Sequence, residues 1–223
     1  MSAATSSDPD DFAACHRDAT VHSHNLRGHV LGLIGLGNIG REIATRCHLG
    51  FGMKIHYFDI ASIPADVEAS LGGATAHYSL QSLIRTADCV VLCTPAIPPG
   101  AGGSSEDSKN GILIGAEQLT WFRKGGRFVN IARGSLVDDG AVADAVASGH
   151  LSAVALDVHH DDPQVHPKLR EMALKGRAMV TCHNAGGTVE THKGFEELSM
   201  RNVMAVLKGE KAITPVNMQH LKT

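Results

Sequence analysis

Val30-Leu31-Gly32-Leu33-Ile34-Gly35-Leu36-Gly37-Asn38-Ile39-Gly40 is the stretch that decides the fold. Its first half is a short apolar run, which suits a strand buried on both faces. Its second half has the G-x-G-x-x-G spacing, and residues 38–49 beyond it read as a helix. A glycine turn between strand and helix suits a dinucleotide. Gly35 permits the tight turn, Gly37 lets a pyrophosphate approach the backbone, and Gly40 lets helix and strand pack closely, while the helix N-terminus offers N–H donors and a positive dipole. Alone the motif is weak, because glycine turns also join strands to helices for purely structural reasons. The next apolar run ends Tyr57-Phe58-Asp59, however, and Asp59 lies nineteen residues beyond Gly40, the spacing of the acid that holds an adenosine ribose. A carboxylate there accepts hydrogen bonds from both ribose hydroxyls and repels a 2′-phosphate, so NAD is expected rather than NADP.

Working outward, short runs of Val, Ile and Leu alternate with longer amphipathic stretches. Strands are expected at 30–35, 54–58, 74–77, 88–93, 127–131, 152–157 and 178–182, and helices at 38–49, 79–86, 138–148 and 188–208. This is the pattern of an α/β fold, a doubly wound parallel sheet of the Rossmann type forming a single dinucleotide-binding domain. Residues 1–24, poor in anything to bury, are expected as a flexible tail, 25–209 as the domain, and 210–223 as a C-terminal stub. Residues 100–107 (GAGGSSED) are expected as a mobile surface loop.

Composition narrows the function classes. Lys plus Arg number 20 against 23 Asp plus Glu, a net charge of −3, so no basic surplus exists to neutralise nucleic acid or an anionic membrane surface. The longest apolar run is far short of a membrane span, and the N-terminus lacks a basic segment followed by a hydrophobic one. Five cysteines without a CxxC pair suit reduced thiols in a cytoplasmic compartment.

Three further positions fall at the expected carboxyl ends of strands, where open α/β sheets take ligands. Arg133, in Val129-Asn130-Ile131-Ala132-Arg133-Gly134, carries a planar guanidinium able to clamp a carboxylate and polarise an adjacent carbonyl; a plain surface arginine is the competing reading. His159-His160-Asp161-Asp162-Pro163 follows Leu156-Asp157-Val158, and since neighbouring side chains point apart, no metal is expected there. His183 precedes Asn184-Ala185-Gly186-Gly187, where an imidazole can face a ligand at close backbone approach, although a lone histidine is more often structural.

Leu26-Arg27-Gly28, the glycine motif, VNIARGSLVDD (129–139), LDVHHDDP (156–163) and TCHNAGG (181–187) together resemble, in order and spacing, the D-isomer-specific 2-hydroxyacid dehydrogenase family. LDVH, HNAGG and the closing residues 207–217 look most like its fungal, D-mandelate dehydrogenase-type members. The resemblance implies hydride transfer from NADH to a 2-keto acid, with Arg133, Asp162 and His183 as catalytic residues. Arg133 would hold carboxylate and carbonyl, His183 would protonate the carbonyl oxygen, and Asp162 would keep His183 charged and aligned. It further implies Asn38 and Ile39 on the pyrophosphate, Thr94 and Pro95 beside the adenosine, Ile131 and Ala132 along the nicotinamide, Asp157 on its carboxamide, Gly186 beside the cofactor, and a homodimer formed through the dinucleotide domain.

The sequence also departs from the family. Position 162 is usually Glu, and Asp is one methylene shorter; Cys182 replaces a usual proline. Family members carry a substrate-binding lobe ahead of the dinucleotide lobe, whereas 25 residues precede Leu26 here, so that lobe is expected to be largely absent and the chain weakly active alone. The alternative is a non-catalytic, NAD(H)-responsive regulatory or dimerisation module.

Overall fold

The computed structural model describes residues 8–96 and 111–215, and the chain falls into two compact units, 1–182 and 183–223. The first unit holds a seven-stranded sheet of β1 Val30–Ile34, β2 Lys54–Phe58, β3 Thr75–Ala76, β4 Cys89–Leu92, β5 Gly126–Asn130, β6 Leu151–Leu156 and β7 Ala178–Val180. Their order is β3-β2-β1-β4-β5-β6-β7, and every pairing is parallel. The chain runs from β1 to one edge, returns to β4 on the other side of β1, and proceeds to the opposite edge. This reversal opens a crevice at the carboxyl ends of β1 and β4. The doubly wound parallel sheet expected from the sequence is the fold observed.

The helices are α1 Pro9–His22, α2 Asn38–Phe51, α3 Ala65–Ser70, α4 Leu80–Thr86, α5 Ala116–Leu119, α6 Asp139–Ala147, α7 Pro167–Leu174 and, in the second unit, α8 Val189–Leu207. Their starts follow capping chemistry. Ser79 accepts the N–H of Ser82, Asp138 that of Ala141 and Thr188 that of Thr191. Along β4 the side chains alternate. Val90 and Leu92 pack with Leu83 and Ile84 of α4 and Val142 and Val146 of α6, while Val91 joins Leu31, Leu33, Ile55 and Ala44 of α2 on the other face. Burying each such Leu, Ile or Val stabilises the fold by about 1.5–3 kcal/mol.

Helical structure begins ahead of the sheet. The stretch expected as a tail carries α1, because Asp8 caps it by accepting the N–H of Asp10 (2.9 Å), Pro9 fits its first turn, and Asp10 and Asp11 favour its positive end. The two compact units divide after Cys182. The expected 100–107 loop and the end of the C-terminal stub lie outside the described residues.

Candidate functional site

The glycine turn shows three distinct demands. Gly35 takes φ +95°, a left-handed value that favours glycine, and its N–H donates to the Phe58 carbonyl at 2.9 Å. A Cβ on Gly40 would stand 2.4 Å from the Gly35 carbonyl oxygen, so helix and turn could not pack as they do. Gly37 faces open space, with no heavy atom within 4 Å of where its Cβ would lie. Asn38 and Ile39 are exposed in the first turn of α2, a 14-residue helix that no side chain caps and whose first turn holds no acid. That cradle fits an anionic pyrophosphate, which would meet backbone N–H groups and the positive end of α2.

Asp59, half-buried at the end of β2, is anchored by two backbone donors: Leu36 N–H on Oδ2 at 2.7 Å and Ala61 N–H on Oδ1 at 2.9 Å. The sequence suggested a ribose contact for Asp59; the structure adds that it pins the glycine turn to β2. A carboxylate has about four acceptor positions, so lone pairs remain for a diol. Cys93, not singled out from the sequence, lies beneath the turn and donates its thiol to the Gly35 carbonyl at 3.0 Å. Burial, with a smaller contribution from Asp59, pushes this thiol up to about 12, so it stays a protonated donor. Thr94 and Pro95 follow at the end of β4, the Thr94 hydroxyl donating to the Pro95 carbonyl at 2.8 Å.

The other half of the carboxyl edge is built around Asn130, fully buried at the end of β5. Its Oδ1 accepts the N–H of Ala132 (3.0 Å), its Nδ2 donates to the Arg133 carbonyl (3.2 Å), and its own carbonyl accepts the N–H of Asp157 (3.0 Å). Asn130 thus shapes the turn that carries Ile131, Ala132 and Arg133. Arg133 is exposed and donates one N–H to the Ala132 carbonyl at 2.6 Å. A guanidinium has further donors, enough for a bidentate carboxylate. Gly134 has a strict reason to be glycine: a Cβ there would sit 1.7 Å from the His159 carbonyl oxygen.

Asp157, buried, accepts the Thr181 hydroxyl at 2.6 Å. Asp162 is exposed, and its Oδ1 accepts the His159 N–H at 3.2 Å. The shorter Asp side chain therefore has a local backbone role in the 159–162 turn that the sequence did not suggest. Asn130, His159 and Thr181 were likewise missed as site-shaping residues. His183 and Gly186 belong to the second unit. His183 takes φ +56°, uncommon for a non-glycine residue and typical of functional sites. The turn after it is closed by Gly187 N–H to Asn184 carbonyl at 3.0 Å. Among the described residues no three His, Cys, Asp or Glu side chains gather as a metal shell, and no helix is long and apolar enough to cross a membrane.

Comparison with known proteins agrees with this geometry. Residues 6–185 match the family model described as D-isomer specific 2-hydroxyacid dehydrogenase, NAD binding domain, a match that begins within the stretch expected as a tail. A glyoxylate reductase of Thermococcus kodakarensis is 32% identical over 199 residues, covering 89% of this chain and 55% of that protein. The crystal structure of holo D-mandelate dehydrogenase of Rhodotorula graminis superposes with a TM-score of 0.84 at 36% identity, over 96% of this chain and 59% of that one. An NAD+-bound D-lactate dehydrogenase of Lactobacillus jensenii gives a TM-score of 0.73 at 25% identity, over 93% and 63% respectively. The chain thus spans less than two thirds of the length of these relatives. NAD is the cofactor named by the family model and present in the Lactobacillus jensenii structure, and the chain belongs to the D-isomer specific 2-hydroxyacid dehydrogenase family through its NAD-binding domain.

Proposed function

We propose that this chain binds NAD(H) and serves the interconversion of a 2-keto acid and a D-2-hydroxy acid. The observation that carries this reading is the open cradle at Gly37 and the first turn of α2, locked to Asp59 through the Leu36 N–H. When bound, NADH supplies a hydride to C2 of the keto acid. The chain's own groups do the rest. Amides of Asn38 and Ile39 hold the pyrophosphate, Asp59 the ribose, and Thr94 and Pro95 flank the adenosine. Ile131, Ala132 and Asp157 border the nicotinamide end, and the family resemblance gives Gly186 a cofactor contact as well. Arg133 binds the substrate carboxylate and polarises the carbonyl, His183 gives a proton to the carbonyl oxygen, and Asp162 supports the imidazolium. Family resemblance is the support for these roles.

Stopped assays of NADH oxidation against a panel of 2-keto acids test the reading, with His183→Ala and Arg133→Ala expected to lower kcat/KM strongly. Absence of NADH binding by calorimetry would overturn it; binding without turnover of any keto acid would favour an NAD(H)-responsive regulatory module. The setting we propose is a reducing cytoplasm, which five unpaired cysteines support, and a two-fold homodimer, the commonest closed assembly. Light scattering that gives a monomer mass at high concentration would remove the dimer.

A further inference from the structure

We propose that His159 is a positioning residue for the nicotinamide end of the site, holding the Asp157–Asp162 loop at a fixed depth against the end of β7. The proposal rests on the NAD(H) reading above and assigns it a residue that touches neither cofactor nor substrate. His159 is 3% exposed, a buried polar residue directly after the run Leu156-Asp157-Val158 that leaves β6. Its Nε2 lies 2.9 Å from the Thr181 carbonyl oxygen. A carbonyl only accepts, so Nε2 carries the proton.

Thr181 is thereby bound to the loop at three points. Its N–H donates to the Leu156 carbonyl at 3.0 Å, its hydroxyl to Asp157 Oδ1 at 2.6 Å, and its carbonyl accepts from His159. The backbone of His159 engages the other candidate groups. Its N–H goes to Asp162 Oδ1 at 3.2 Å, and its carbonyl accepts the Asp162 N–H at 3.3 Å. That same carbonyl occupies the space that leaves Gly134, next to Arg133, without room for a side chain. One buried ring therefore sets the height of a peptide that touches the neighbours of Arg133, Asp157 and Asp162 at once. The side chain makes a single directed bond, to Thr181. The other ring nitrogen, Nδ1, is buried with no hydrogen-bond partner, so the bond to Thr181 is the ring's one directed link. An apolar ring of similar size would fill the volume and lose only the link to β7.

Calorimetry with NADH and with ADP-ribose, which lacks the nicotinamide, separates this role from general packing. His159→Phe is expected to lose on the order of tenfold in NADH affinity, the weight of one buried hydrogen bond, while ADP-ribose affinity stays within about twofold. His159→Gln, whose amide N–H can reach a carbonyl, is expected to keep more of the NADH affinity. If His159→Phe weakens neither ligand, the proposal is wrong. If it weakens both, the decision passes to His159→Gln, and equal loss of both ligands there overturns the proposal as well. Should the wild-type chain bind neither NADH nor ADP-ribose, the functional reading falls and this proposal with it; equal wild-type affinity for the two ligands, or a wild-type preference for NADH that His159→Phe retains, removes the proposal alone.

Discussion

Asp88 and Asp59 stand at opposite ends of the same sheet and are held differently. Asp88, where the chain enters β4, accepts the Val30 N–H at 2.8 Å and the Arg123 guanidinium at 2.9 Å, with His29 Nδ1 at 3.5 Å. Asp59, where the chain leaves β2, accepts the N–H groups of Leu36 and Ala61; among the described residues it enters no ion pair. At the amino edge, charge closes on charge and the groups serve the fold. At the carboxyl edge, backbone donors aim a carboxylate without neutralising it, so its remaining acceptors are available to a ligand. Charged residues at the two ends of a strand look alike in composition, and what separates them is which partners the topology delivers.

The largest effect should come from the closest backbone approach. Gly134→Ala sets a Cβ 1.7 Å from the His159 carbonyl oxygen, a backbone atom that cannot move without shifting the Asp157–Asp162 loop. We expect a loss of about 3 kcal/mol or more in stability. Gly125→Ala, just before β5 at the amino edge, meets nothing within 4 Å and is strained only by φ +81°, so it should cost about 1–2 kcal/mol. Urea denaturation of the two variants measures the difference, and equal costs would break the contrast between the edges.

Next in size is Asp59→Asn. It keeps an acceptor for Leu36 but removes the charge, so NAD affinity should fall roughly tenfold to a hundredfold and the preference for NAD over NADP should shrink. Calorimetry with both cofactors checks this, and unchanged discrimination would show that Asp59 does not face the ribose. Asp88→Ala is the matched change at the other edge. Loss of the Val30 and Arg123 bonds should cost about 1–2 kcal/mol in stability, while NAD affinity stays within about twofold. A drop in NAD affinity comparable to that of Asp59→Asn would erase the distinction between the two ends.

Which parts of this arrangement were legible in the sequence follows from the range of the interactions. The central strands could be placed because a parallel sheet covered on both faces needs apolar runs, and Val30–Ile34 and Cys89–Leu92 are such runs. The glycine turn was legible because its constraints are local, within six residues. Helix α1 was overlooked because its apolar periodicity is weak and the signal lies in Asp8-Pro9-Asp10-Asp11, a start signature that composition hides. Asn130, Thr181 and His159 were not legible as site-shaping residues. Asn130 meets Asp157 and His159 meets Thr181 only once β5, β6 and β7 lie side by side. The need for glycine at 134 is set by a carbonyl 25 residues along the chain. A motif match marks such positions without saying what holds them.

The smallest effect separates acid sensitivity from cofactor binding on the half of the sheet that carries Asp59. His56 on β2 and His77 just beyond β3 share a bond between Nδ1 and Nε2 at 2.9 Å, and His77 Nδ1 lies 2.8 Å from the Ser82 hydroxyl. Burial holds both imidazoles below the ordinary histidine value, and His56 is lowered further by its proximity to His77 and Lys54. The folded chain therefore takes up protons at these rings later than the unfolded chain, whose histidines titrate near about 6.5. Stability present at neutral pH is lost as the pH falls below that value toward the folded pKa values. The shared bond sharpens the loss, since it needs one bare ring nitrogen and two imidazolium rings cannot form it. Tm should thus decline from about pH 7.5 to about pH 5.5 in the wild type and decline less in His77→Gln, whose amide can still bond His56 but does not titrate. NAD affinity at about pH 7.5 should be the same in both, because the pair, although His56 shares β2 with Asp59, does not join the hydrogen bonds that hold Asp59. An identical slope of Tm against pH in the two proteins would place the acid sensitivity elsewhere, and a change in NAD affinity would show that the β2–β3 edge and the carboxyl edge are coupled.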